Sequence, residues 1–145
     1  MDVDWLELEA QRLSERQELA LHSKVLRNGK AYHIPMVDFV HTGPIPALLT
    51  RMEPVRRVLP VDLTLYHSGR SLHGYFFCLI EEGKWYTYLG SLLLCNNPGA
   101  ELTDSRWIGH SLEHGFSALR WSCNSDLYDS LPEVVDLGPY LGLQA

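Results

Sequence analysis

Residues 24–40 read KVLRNGKAYHIPMVDFV, and no other stretch restricts the fold as much. Asn28-Gly29 is a two-residue hairpin signal, because both residues tolerate the positive φ that such a turn needs. The letters on either side alternate between apolar and polar, so residues 18–40 predict a hairpin. Pro35 removes a backbone donor within the second arm, which predicts an edge position or a bulge there. A second reading fits the same letters: one helix through ELALHSKVL, closed at Asn28-Gly29, since glycine also ends helices.

The rest of the chain alternates helix and strand signals. Residues 3–16 predict a short amphipathic helix on Trp5, Leu6, Leu8 and Leu13, with Asp2 and Asp4 where the helix dipole favours negative charge. Residues 44–59 predict a helix with Leu48, Leu49, Met52, Val55 and Val58 on one face and a kink at Pro54. Strands are predicted at 61–67 and 72–81, and a helix over 84–95, stopped by Asn96-Asn97-Pro98-Gly99. Extended segments are predicted around 103–112 and 116–123, before a less regular tail. This order predicts an α+β or α/β domain with a mixed, mostly antiparallel sheet flanked by helices.

At 145 residues the chain suits a single domain with one core. Apolar residues make up 46% and charged residues 21%, a globular balance. The net charge of −6 excludes a globally basic nucleic-acid binder, so any such surface must be local. No apolar run nears the roughly 20 residues that span a bilayer, and MDVDWLELEA does not read as a secretory leader. The expectation is a cytoplasmic protein without membrane contact. Cys78, Cys95 and Cys123 lack CxxC spacing and read as reduced thiols.

Between the strands at 61–67 and 72–81 lies a polar knot, Ser68, Gly69, Arg70, Ser71 and His73. Ser71 and His73 are two apart, so a strand projects them from one face. Ser68-Gly69 can turn the chain and leave backbone N–H groups facing an anion, and Arg70 offers a fork of donors matched to phosphate. The plain alternative is a hairpin turn with a surface serine and a satisfied histidine, which pattern alone favours. Asp38 stands out because an acid near the end of the apolar strand IPMVDF needs a partner. Asp104, before SRWIGH, is a second candidate metal acid, and both are otherwise cap or turn acids. Arg120 is a candidate phosphate contact or a core-edge ion pair.

Other chemistries fit less well. His110-Ser-Leu-Glu113-His114 matches the H-x-x-E-H zinc string, but Gly109 and Gly115 bracket it and disfavour the helix that string requires. There is no G-x-S-x-G elbow, Walker loop or dinucleotide fingerprint. No cysteine lies in a visibly electropositive setting. Trp85, Tyr86, Tyr88, Trp107 and Trp121 divide between core and base-stacking roles that spacing does not separate.

Three pieces together resemble the archaeo-eukaryotic primase (primase–polymerase) superfamily, most of all its short single-domain members. IPMVDF resembles the strand ending in the first acidic motif. Ser71-Leu72-His73, within SGRSLHGYF, resembles the Ser-x-His motif. TDSRWIGHSLEHGFSALRWSCN resembles the region of the third motif and the later basic strand. The resemblance implies a primase–polymerase (RRM-like) core over residues 31–135 within one primase-like domain, 1–145, and an N-terminal helix and hairpin strand over 1–30. It implies catalytic roles for Asp38, His73 and Asp104, with Asp38 and Asp104 holding Mg²⁺ or Mn²⁺. Ser68, Arg70, Ser71, His73 and Arg120 would contact nucleotide phosphates.

The implied ligand is a nucleoside triphosphate, with single-stranded nucleic acid and a protein partner as further candidates. Active members carry two acids two apart in the first motif, whereas here Val40 occupies the second place and His41 follows. Thr103-Asp104 is a loose form of the third motif. Three readings follow: a minimal nucleotidyltransferase, a non-catalytic nucleotide or nucleic-acid binder in a replication or defence system, and an interaction module unrelated to this chemistry.

Overall fold

The computed structural model describes residues 3–41, 43–128 and 130–141. Asp2, expected at the first helix start, lies outside them. The helices are α1 (Val3–Gln11), α2 (Ile45–Arg51), α3 (Glu53–Val58), α4 (Glu82–Leu94), α5 (Ser105–His114) and α6 (Gly138–Leu141). The strands are β1 (Ala20–His22), β2 (Lys24–Arg27), β3 (Lys30–His33), β4 (Met36–Phe39), β5 (Thr64–His67), β6 (Leu72–Tyr75), β7 (Ile80–Glu81), β8 (Ala118–Arg120) and β9 (Glu133–Val134). Every strand pairing is antiparallel, and the class is α+β, as the alternation of signals predicts.

Asn28-Gly29 closes the β2–β3 hairpin, with positive φ at both residues, and Arg27 pairs with Lys30. The long-helix reading of this segment is thereby excluded. Pro35 separates β3 from β4, and the two strands belong to different sheets, in the orders β2-β3-β7 and β4-β6-β5-β9. The proline therefore marks the point where the chain changes sheet. The strand expected at 72–81 is likewise split, because β6 and β7 serve different sheets.

The central sheet has two unlike faces. On one, Val37, Phe39, Leu65 and Leu72 join Leu48, Val55, Trp85, Leu89 and Ile108 in a single buried core under α2–α5. Gly74 faces this side at close quarters: an added Cβ would come within 2.7–2.9 Å of Val37, Leu63 and Phe39 side chains. Trp85 is fully buried and stacks on the buried ring of His33, with centroids 4.1 Å apart. Tyr88 donates its hydroxyl to the Met36 carbonyl at 2.9 Å and so ties α4 to β4. On the opposite face, Met36, Tyr75 and Leu119 form a smaller cluster with Tyr66, Trp107 and Trp121, roofed by the β1–β8 ribbon.

Two expectations are corrected. The segment 103–112 is not extended: α5 occupies Ser105–His114. Asp104 caps it, its Oδ1 accepting from the amides of Arg106 (2.8 Å) and Trp107 (3.1 Å). Gly115, with φ 75°, closes it in the left-handed conformation, so this glycine ends the helix where it was expected to prevent it. Gly109 inside the helix costs only about 1 kcal/mol, which the cap and the burial of Ile108 offset. The amphipathic stripe of α1 is also not buried, since Trp5 and Leu8 are 56% and 50% exposed.

Candidate functional site

Registry alone brings the candidate residues together. Antiparallel pairing of β4 with β6 sets Asp38 opposite His73, and pairing of β6 with β5 sets His73 opposite Tyr66. On the other edge of β4, residues 102–104 lie alongside through the Phe39–Thr103 bridge. There the Asp104 amide donates to the Asp38 carbonyl at 2.9 Å, and the Val40 amide to the Leu102 carbonyl at 3.0 Å. Directly opposed residues on antiparallel strands share a face. Asp104, Asp38, His73 and Tyr66 thus form one row across the sheet, on the face away from the helical core. A slip of one residue would send Val37 and Phe39 out of the core, so hydrophobic burial fixes the row.

The electrostatics of the row are unusual. Burial first, then the charge of Asp104, pushes Asp38 up to about 6, while a hydrogen bond from the Ser71 hydroxyl at 3.4 Å acts in the opposite direction. Burial first, then the Arg120 guanidinium, pushes His73 down to about 4, against a smaller opposing influence of the Arg120 backbone. His73 Nε2 lies 3.8 Å from Asp38 Oδ1. That distance resembles an ion pair, but the two shifts show that it is not one. At neutral pH the imidazole is uncharged and faces a carboxylate ionised at a cost. His73 Nδ1, Tyr75 Oη and Arg120 Nε are all buried without a hydrogen-bond partner.

The turn before β6 supports the row. Ser68 donates from its amide to the Ser71 carbonyl at 2.9 Å, and its hydroxyl lies 3.1 Å from that carbonyl and 3.2 Å from the Ser71 hydroxyl. Gly69 holds φ 97°, which only glycine adopts without strain. Arg70 is exposed and donates to the Leu127 carbonyl at 2.6 Å. Arg120 is buried and donates to the carbonyls of Ser68, Ser122 and Ser130. Its guanidinium stacks on Tyr128 at 3.8 Å. It is therefore a cross-brace between the knot and the 121–130 loop, and most of its donors are already used.

Sequence reasoning missed three residues here. Tyr75 was legible in principle, because it follows His73 by two on the same strand. Tyr66 needs the β5–β6 register, and Tyr128 carries no local signal. Among the cysteines, burial pushes Cys95 up to about 11 and Cys78 upward, so neither is an activated nucleophile. An apolar cavity of about 350 Å³, lined by Leu49, Val55, Phe76 and Val135 among others, lies on the helical side of the sheet, away from the row.

The donor set fits a hard divalent cation. Asp38 and Asp104 are close enough for one charge to raise the other's proton affinity, and a cation relieves that repulsion. Asp38 retains 25% side-chain exposure, so the carboxylate is reachable. Two positions on from Asp38, where a further acid could stand on the same strand edge, the chain has Val40, which is 39% exposed.

The family model for archaeo-eukaryotic primase 1D-like (AEP-like) proteins matches residues 1–133. No curated protein and no solved structure matches the chain. No described helix is long and apolar enough to cross a membrane.

Proposed function

The chain belongs to the archaeo-eukaryotic primase 1D-like family, and on that premise we propose that the polar face of its central sheet binds a nucleoside triphosphate with a divalent cation, Mg²⁺ or Mn²⁺. The observation that carries this reading is the row Asp104–Asp38–His73, with Asp38 raised to about 6 and His73 held neutral. Asp38 and Asp104 would hold the cation, Asp104 through the oxygen not used in capping α5. His73, Ser71 and the Gly69 amide would contact phosphate, and Arg70, on the exposed rim, would add charge. Arg120 would act chiefly by holding the Ser68 turn in place, since both its terminal nitrogens donate to backbone carbonyls.

A bound divalent cation would supply charge neutralisation at the phosphates. The chain's own contribution is a rigid, half-buried cradle in which a neutral imidazole and hydroxyls meet the phosphate oxygens. Two carboxylates, with Val40 in place of a further acid, support binding without efficient turnover, as in a subunit of a replication or defence assembly. Nucleotidyl transfer is the second reading, favoured by the exposure that Asp38 keeps. Single-stranded nucleic acid and a protein partner are the further ligands this reading admits, and it treats residues 1–145 as one functional unit.

The test is thermal melting with each NTP and dNTP, with and without Mn²⁺. A rise in Tm that His73→Ala removes supports the reading, and flat curves for every nucleotide overturn it. Template-dependent extension abolished by Asp38→Ala would select the enzymatic reading.

A further inference from the structure

The end of α5 opposite Asp104 carries a second group of ligating side chains, unrelated to the row on the sheet. His110, Glu113 and His114 are all exposed, and each offers a ligand atom within 4.8 Å of the other two. We propose that these three residues form a binding site for a late first-row divalent cation, with Zn²⁺ the foremost occupant.

Helical spacing supplies the geometry. Positions i, i+3 and i+4 share a face, and α5 is continuous from Ser105 to His114. His110 Nδ1 lies 3.6 Å from Glu113 Oε2. Ligands on one zinc ion stand roughly 3.3 Å apart at ordinary bond lengths, so exposed rotamers need only small adjustments to close on an ion. His114 has a defined tautomer: its Nδ1 lies 2.7 Å from the His110 carbonyl and must donate to it. That leaves the Nε2 lone pair outward, an orientation typical of a metal-bound histidine held by a backbone carbonyl.

The location favours positive charge. The group sits on the last turn of α5, at the negative end of the helix dipole, and among described residues the only basic side chain of that turn is His114 itself. Two imidazoles and one carboxylate select Zn²⁺, Cu²⁺, Ni²⁺ or Co²⁺ over Mg²⁺. The two ends of α5 therefore differ in chemistry, oxygen donors at Asp104 and nitrogen-rich donors at His110 and His114. With three protein ligands on an open ridge, the fourth position is left to water or a partner's side chain. An ion here would staple the last helical turn against fraying.

The test is calorimetric titration of the tag-free full chain with Zn²⁺, with and without millimolar Mg²⁺. One equivalent of Zn²⁺ should bind, unaffected by Mg²⁺, and should raise Tm. His110→Ala, His114→Ala and Glu113→Gln should each weaken it by at least about 10-fold, the range that even an outer-shell change costs. All three positions are exposed, so circular dichroism should show unchanged folding. No Zn²⁺ binding, binding insensitive to both histidine substitutions, or binding lost on Asp38→Asn and retained in His110→Ala would each overturn the proposal.

Discussion

Val37 and Asp38 are neighbours on one strand and lie on opposite faces of one sheet. Val37, with Phe39, Leu65 and Leu72, faces a closed apolar core under four helices. Asp38, with His73, Tyr75 and Tyr66, faces a thin roof made of β1, β8 and the 121–130 loop, held by Arg120 and Tyr128. The first face is lined almost wholly by apolar side chains, and its unpaired buried polar atoms among the described residues are the ring nitrogens Trp85 Nε1 and His33 Nε2. The second keeps orphaned polar atoms and a carboxylate and an imidazole shifted in opposite directions. The difference teaches that stability and chemistry are separated by one residue of strand register: the apolar face fixes the register, and the register places the acids.

The largest effect should come from the apolar face. Trp85→Ala should cost about 3–5 kcal/mol in urea denaturation; a cost below about 1 kcal/mol would show that this face is not the anchor. Arg120→Ala comes next, at about 2–4 kcal/mol, because it leaves three carbonyls without their donor. Limited proteolysis should then cut the 121–130 loop faster, and an unchanged cleavage rate would deny Arg120 its bracing role.

Asp38→Asn should act with the opposite sign, stabilising at pH 7. The rise of Asp38 from 3.8 to about 6 sets an upper bound of about 3 kcal/mol, less once its remaining solvent access is counted. A raised carboxyl binds its proton more tightly in the folded state, so the wild type gains stability from Asp38 as pH falls from about 6 to 3.8. A depressed imidazole does the reverse: stability is present above 6.5 and is lost as pH falls towards about 4. The two oppose each other in the wild type. Asp38→Asn leaves only the histidine's contribution, so its Tm should fall more steeply on acidification, and its advantage should vanish near pH 4. Parallel Tm–pH curves would break the assigned electrostatics. The smallest stability effect belongs to Ser71→Ala, within about 1 kcal/mol, although any nucleotide-induced rise in Tm should shrink.

Local signals in the sequence were read well where a single residue fixes backbone geometry. Asn28-Gly29 placed the hairpin turn and Asn96 to Gly99 ended α4, whereas Pro35, expected at an edge position or a bulge of one strand, instead divides two strands that belong to different sheets. Gly115 shows the limit: the same glycine can block a helix or cap one, and only the Asp104 cap and the burial of Ile108 decided between them. Trp5 and Leu8 show it again, since periodicity cannot tell whether a partner surface exists.

The chain's own letters determined the α+β class, the family likeness through Asp38 and Ser71-Leu72-His73, and the alternation that sets polar and apolar residues on opposite faces. Tertiary structure alone decided that Asp104, 66 positions from Asp38 by their numbering, lies directly opposite it. It alone turned Arg120 inward onto Tyr128, and it set the charge states of Asp38 and His73. The reason is physical: turns and strand periods are written in neighbouring residues, whereas strand pairing and desolvation depend on segments distant in sequence that meet only when the core closes.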